Sequence, residues 1–338
     1  MMKTKRYLME NPDAHMVYLG WKISNGEIVV DEFGKPVKAL VFAVEKKKPL
    51  SKLDNPIPKK YGALPTDVVE KPKMLATPPI PKKNPNDLQQ RIRPITGGIS
   101  IGHVDISAGT LGCIVKTREV FENPPGTVGW WQRFLNWIKR IFGIGSTGAY
   151  SLGVRDVPLI MSNNHVLANE NRAKIGDPII QPGDYDDGRN PNDIVGYLDS
   201  FTPITFKQSN FVDVAFATIA EGIEWLPGVE DIPVINDVIK DARLGDLVQK
   251  TGRTTGYTVG KVIGTDATSY VGYDYGDAYF EDQIIIQDLT GHFSDGGNSG
   301  SLILDMDGHP VGLLFAGGGD ITLANKMSRI VDEYGIEF

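Results

Sequence analysis

The chain has 338 residues, of which 41% are hydrophobic and 23% charged, with 38 glycines and 22 prolines. At roughly 100–200 residues per domain this suffices for two or three compact units and excludes a disordered chain. The formal net charge of -7 divides unevenly: residues 1–95 carry 18 Lys and Arg against 10 Asp and Glu, net +8, and the remainder carries 17 against 32, net -15. No apolar run approaches the length of about eighteen residues that a membrane helix needs, and the basic residues of MMKTKRYLMENPDAH are followed by no apolar stretch or small-residue cleavage site. Neither a membrane span nor a secretory signal is expected. A lone thiol, Cys113, cannot form an internal disulfide and suits a reducing compartment, so the expected location is cytoplasmic.

In chain order, VYLGWKI, the turn Ser24-Asn25-Gly26, ALVFAVEKK and PTDVVE predict short strands in a small α/β unit over residues 1–70. Ten of the 22 prolines lie between Pro49 and Pro94, and residues 71–96 read as an extended linker or strap. From Gly97 onward short β-branched runs alternate with Gly and Asp, which predicts an all-β barrel or sandwich. Two helical exceptions stand out. WWQRFLNWIKRIF at 130–142, in an insertion over 129–143, is amphipathic and basic and holds three of the five tryptophans; NKMSRIVDEYGIEF predicts a docking helix at about 324–335.

The sharpest local signal is Asp295-Gly-Gly-Asn-Ser299-Gly-Ser301 before the apolar strand LILD. Glycines around a serine permit a tight turn that aims two N–H groups at one point beside the hydroxyl, as an oxyanion hole requires; a plain glycine-rich turn has the same composition. A nucleophilic serine needs a base. Among the five histidines, His165 ends the apolar strand PLIMSNNHVLA in an abrupt polar cluster, whereas a histidine in such a turn is commonly just a hydrogen-bonding residue. Asp213 lies in the apolar run FVDVAFATI, where an unpaired carboxylate would be costly to bury, so a strong partner is expected.

SNNHV at 162–166, DVA at 213–215, GGNSGS at 296–301 and KTGRTTGYTVG at 250–260 together resemble the signature blocks of the chymotrypsin-like serine peptidases of bacteria. ALVFAVEKK, LPTDVVE and RPITGGISIGH resemble the lead-in of bacterial relatives of the plant Narrow leaf peptidases. The resemblance implies a mainly β fold: two antiparallel six-stranded barrels, about 97–222 and 240–325, within a peptidase domain 97–338 preceded by the small α/β domain. It implies a serine endopeptidase without a cofactor, acting on protein or peptide substrates. Ser299 would be the nucleophile, His165 the general base and then acid, and Asp213 the support of the imidazole, with Gly297 and Ser299 N–H groups as oxyanion hole. Phe293 would stand at the base of the specificity pocket, and Ala316, Gly317 and Gly318 along the substrate wall. The rival reading is a scaffold of the same fold without turnover, acting through the N-terminal domain or the aromatic helix.

GYTVGK at 256–261 is too short between its glycines for a phosphate loop. The loop GDYDDGRNPND, with Asp184, Asp186, Asn190 and Asn192, fails calcium-loop spacing and reads as a solvated surface loop; scattered histidines offer no zinc spacing. The N-terminal lysines lack the aromatic interleaving of a nucleic-acid binder. Helix 130–142 is expected to pack on its own barrel, on a sister subunit in a homo-oligomer, or as a cleft lid, in preference to a membrane surface.

Overall fold

The structure, a computed structural model, describes residues 4–53, 55–76, 87–106, 108–122, 152–232, 234–289 and 292–338. The expected helix 130–142, and with it the oligomer and lid readings, lies outside the described residues. The elements that position the site are helix α1 (Thr4–Met9), strands β1 (Ala14–Trp21), β2 (Lys38–Val44), β3 (Leu64–Glu70) and β4 (Met74–Leu75), then β5 (Ser100–His103), β6 (Gly109–Thr110), β7 (Cys113–Glu122) and β8 (Leu152–Ser162). Helix α2 (Asn164–Leu167) follows, then β9 (Pro178–Ile180), β10 (Ile194–Phe201) and β11 (Ala215–Ile219). The second half holds β12 (Leu247–Gly252), β13 (Gly256–Tyr273), β14 (Gly276–Asp288), β15 (Leu302–Asp305), β16 (Pro310–Gly318), β17 (Ile321–Lys326) and α3 (Met327–Tyr334).

Seven strands form the first sheet, in the order β6-β5-β9-β10-β11-β8-β7. In the second, β14, β17, β16, β15, β12 and β13 pair in turn, and β13 pairs back onto β14, so these six close a ring. Where the resemblance implies six strands to a barrel, hydrogen bonding thus links seven in the first sheet and a ring of six in the second. The second sheet does not stop at the ring, and reaches twelve strands. The cause is the length of β13, whose 18 residues outrun its ring partner β12. Its free edge takes β1 at Met16↔Ser269 and Val17↔Thr268, and β2 and β3 follow outward.

The N-terminal strands therefore share a core with the second ring. Met16, Tyr18, Ala39 and Val41 pack in one cluster with Phe280, Ile285, Phe315 and Leu323. A second cluster fills the first sheet around Ile99, Ile160, Leu198 and Ala217. The seam between the sheets is apolar too: Cys113, Met161 and Phe216 meet Leu302, Leu313, Met327 and Ile330. Cys113 is fully buried there, and burial pushes its thiol far above the usual range, so it is inert packing. The C-terminal helix expected from 324 begins at Met327, because Ala324 to Lys326 still pair with β16. It buries Met327 and Ile330, each worth about 1.5–3 kcal/mol, and ends at Gly335 with φ 62°.

Candidate active site

The polar cluster that interrupts PLIMSNNHVLA is what turns the chain after β8. Asn163 Nδ2 donates to the Asp213 carbonyl at 2.7 Å, and Asn164 Nδ2 donates to the Thr202 carbonyl at 2.8 Å and to Asn171 Oδ1 at 2.7 Å. These bonds fix α2 and place His165 on it. Asp213 precedes β11 rather than lying within it, since the strand begins at Ala215. Its N–H donates to Asn325 Oδ1 at 3.0 Å, which ties it to β17 of the second sheet.

The Asp213 carboxylate is fully buried and well supplied with donors. His165 Nδ1 lies 2.6 Å from Oδ2, the Tyr273 hydroxyl donates to the same oxygen at 2.8 Å, and the His165 N–H donates to Oδ1 at 3.3 Å. Burial first, then the charge of Asp213, pushes the Tyr273 phenol well above its ordinary value, so it stays protonated and donates. With Nδ1 committed to the carboxylate, the proton-accepting nitrogen is Nε2. It is buried and has no hydrogen-bond partner among the described residues. It belongs to a cavity of about 210 Å³ that Ser299 also lines.

Ser299 sits on a turn shaped from both sheets. Gly297 and Gly300 have φ of 90° and 94°, a region that L side chains rarely enter, and a Cβ on Gly300 would fall 2.1 Å from Ser162 Oγ. Thr110 Oγ1 donates to the Gly297 carbonyl at 2.9 Å, and the Thr254 N–H donates to Asn298 Oδ1 at 2.9 Å. The block KTGRTTG thus braces the turn from below. Ser299 Oγ faces the Phe315 carbonyl at 3.4 Å, not Nε2. Among the described residues, no acceptor takes the N–H of Gly297 or of Ser299.

Beside the serine, Ser294, Asp295, Leu314, Ala316, Gly317 and Gly318 line a recess of about 100 Å³. The structure brings the three wall residues to it and leaves out Phe293. That side chain is 1% exposed and packs with Val248, Val262 and Ile286 inside the second ring. The apolar ring is better buried than exposed, so the chain directs it into the core.

Two features carry no sequence signal that a reader could use. Tyr273 ends the long β13, distant in sequence from the carboxylate it serves. Leu75 and Ala76, from the segment read as a linker, line the recess and the cavity respectively. Asp186 is no solvated loop residue either: 6% exposed, it takes Arg253 Nε at 2.6 Å, a second guanidinium N–H, and Ser100 Oγ at 2.6 Å. Among the described residues, no three His, Cys, Asp or Glu side chains converge as metal ligands, and no helix is long and apolar enough to cross a membrane.

Residues 188–330 match the family described as the Nal1 C-terminal domain. No curated protein matches the chain. Among solved structures it is similar to Cellulomonas bogoriensis chymotrypsin, at 16% identity and a TM-score of 0.43, covering 72% of this chain and 97% of that one. It is also similar to protease A of Thermobifida fusca (15%, TM-score 0.43, 72% and 97%) and to Nocardiopsis protease (13%, TM-score 0.45, 72% and 97%). The closed second ring, its seven-stranded partner sheet and the meeting of His165, Asp213 and Ser299 at their seam make this a mainly β, chymotrypsin-like fold.

Proposed function

We propose that the protein is a serine peptidase, with Ser299 as nucleophile, His165 as general base and acid, and Asp213 as the carboxylate that orients the imidazole. The observation that carries this reading is the unpartnered Nε2 of a histidine whose Nδ1 is held by a buried carboxylate, opening on a cavity shared with a serine. The reading requires the Ser299 hydroxyl to leave the Phe315 carbonyl for Nε2 across the shared cavity, and such contacts often tighten only with substrate in place.

The reaction then runs in two balanced halves. Ser299 Oγ bonds to the substrate carbonyl carbon as its proton passes to Nε2, and the N–H groups of Gly297 and Ser299 take the oxyanion. Nε2 returns the proton to the leaving amine as the peptide C–N bond breaks. Water, giving its proton to Nε2, attacks the acyl ester, and the carboxylic acid leaves while Oγ recovers its proton. Asp213 keeps its charge throughout and offsets the imidazolium. The proposed reaction uses no cofactor, and its substrates are proteins or peptides, in the cytoplasm.

The test is covalent labelling by a small fluorophosphonate, with mapping of the adduct. Ser299 is expected to carry it, Ser299→Ala to abolish it, and turnover of a peptide amide to fall about 10⁴–10⁶-fold in that variant. Folded protein that leaves Ser299 unlabelled would instead establish the scaffold reading, which the 3.4 Å contact between Oγ and Phe315 favours.

A further inference from the structure

Granted that reading, the geometry points to the kind of substrate. Gly317, on the substrate wall, already has a strand beside it. It pairs antiparallel with Leu75 of β4. On the other side, Met74 and Leu75 pair in parallel with Val271 and Gly272 of β13, and the Ala76 N–H donates to the Gly272 carbonyl at 3.1 Å. The approach is close: a Cβ on Gly318 would lie 2.8 Å from the Lys73 carbonyl. Met74 is fully buried in a cluster with Phe280 and Phe315, and Lys71 Nζ reaches Asp320 at 2.6 Å just before the strand. An element held by two ladders and a buried side chain is a fixed part of the wall, not a lid. It runs toward the nucleophile, since the next residue, Ala76, lines the cavity of His165 and Ser299. A long substrate strand cannot lie along Gly317 and Gly318 while β4 is there.

The cavity itself presents buried acceptor oxygens without hydrogen-bond donors among the described residues. Asn169, Glu170 and Asn171 form a run of non-glycine residues with φ of 49°, 51° and 71°. Such a run persists only where its surroundings over-determine it. Here Asn171 does so, its N–H donating to Asn164 Oδ1 at 3.1 Å and its Nδ2 to the Ile204 carbonyl at 2.8 Å. The strained turn sets Asn169 and Glu170 into the cavity wall. Among the described residues, Asn169 Oδ1 and Glu170 Oε2 are buried and without a hydrogen-bond partner, with Asn169 8% and the Glu170 side chain 9% exposed. The other charges lining the cavity are Asp105, Asp274 and Arg172; Arg172 is engaged by Asp274 at 3.2 Å, stands 3.9 Å from Glu170 Oε2 in a long ion pair and lies 5.1 Å from the Tyr275 ring, while the Asp274 N–H donates to Glu170 Oε1 at 3.3 Å. Three carboxylates against one guanidinium favour a cation. Burial raises the Glu170 pKa, and a bound ammonium group would hold the carboxylate ionised.

We propose that this peptidase cuts peptides close to a free amino terminus, with Glu170 and Asn169 receiving the substrate's ammonium group beside His165 while β4 closes the wall beyond. An ammonium group could come from the α-amine or from a lysine side chain, and blocked β4 pairing argues for the α-amine. The experiment uses the full chain and coumarin amides that share one residue before the scissile bond: a free dipeptide, its N-acetyl form, an N-acetyl dipeptide led by lysine, and an N-acetyl tetrapeptide. The free dipeptide is expected to exceed the acetylated forms in kcat/KM by about 10–100-fold, the range of a charge-assisted hydrogen bond. Glu170→Gln is expected to remove most of that ratio, and Asn169→Gly, which accepts the left-handed backbone, part of it. Equal or better turnover of the acetylated tetrapeptide, a preference for the lysine-led acetyl peptide, an unchanged ratio in Glu170→Gln, or no turnover of the free dipeptide would each overturn the inference, provided Ser299 still takes the fluorophosphonate. Loss of that label in the unaltered chain would overturn the peptidase reading instead.

Discussion

Two buried carboxylates stand near the seam of the sheets, and each holds a cationic or potentially cationic partner. Asp186 and Arg253 form a closed pair: both oxygens of Asp186 are taken by the guanidinium, Ser100 adds a third donor, and Arg253 is 1% exposed. Asp213 and His165 form an open one, because the carboxylate is saturated while the imidazole keeps a nitrogen without a partner. Burial and charge are alike in the two. What separates a brace from a reactive site is the atom left over. Arg253 leads into Thr254 and the turn of Asn298, so the closed pair underpins the serine, whereas the open pair addresses it.

Neutralising each carboxylate should break the two pairs differently. Asp213→Asn is expected to lower kcat/KM by about 10⁴-fold, because the amide no longer offsets an imidazolium and favours the wrong tautomer. Its urea midpoint should stay close to that of the unaltered protein, since Tyr273 can still donate to the amide oxygen. Asp186→Ala is expected to cost about 3–5 kcal/mol by urea denaturation, as it strands the Arg253 charge in a dry seam. Pairing Asp186→Leu with Arg253→Met should recover most of that loss, because replacing both members of a buried pair is often neutral. If Asp186→Ala left stability untouched while abolishing turnover, the division between brace and site would collapse.

The same contrast explains what the sequence disclosed. His165, Asp213 and Ser299 were legible because each breaks a local pattern: a polar cluster at a strand end, a carboxylate among apolar residues, glycines around a serine. Their supports were not. Asp186 looked like part of a solvated loop because its partner, Arg253, lies 67 positions away. The resemblance sets Phe293 at a pocket base by its position along the chain alone, and an aromatic ring next to an apolar core goes into that core. The lead-in appeared as a separate basic unit, yet β1 joins the overhanging β13 through backbone hydrogen bonds, which any sequence can make. Strand β4 was hidden in proline-rich composition for the same reason.

Tyr273 sharpens the comparison on a smaller scale, because its hydroxyl gives the Asp213 carboxylate a donor besides the imidazole. Tyr273→Phe keeps the ring that meets His165 edge-on at 6.0 Å and removes only the bond to Asp213. A buried acceptor losing one of several donors costs about 1–3 kcal/mol, so a fall of roughly tenfold in kcat/KM with a modest loss of stability is expected. An unchanged rate would show that His165 alone suffices to hold Asp213.

The smallest effect belongs to a third carboxylate, Asp282, whose partners reach solvent. It takes Lys326 Nζ at 2.6 Å and Arg329 Nε at 2.6 Å, pinning the start of α3 to β14, and Lys326 and Arg329 are 18% and 31% exposed. Burial pushes its pKa up, but the bonds and charges of Lys326 and Arg329 outweigh burial and hold it below the usual carboxylate range. A depressed folded-state pKa means that the unfolded chain binds the proton more readily, so the pair stabilises the fold above the ordinary value of about 4 and the contribution disappears as pH falls through the lowered one. Screening of the exposed cations keeps it to about 1 kcal/mol at neutral pH. Asp282→Asn should therefore lower stability at pH 7 by about that amount, and its stability curve should converge with that of the unaltered protein in acid. Added salt should shrink the difference, whereas it should leave the loss in Asp186→Ala nearly unchanged, because salt reaches partly exposed cations and not the buried Arg253.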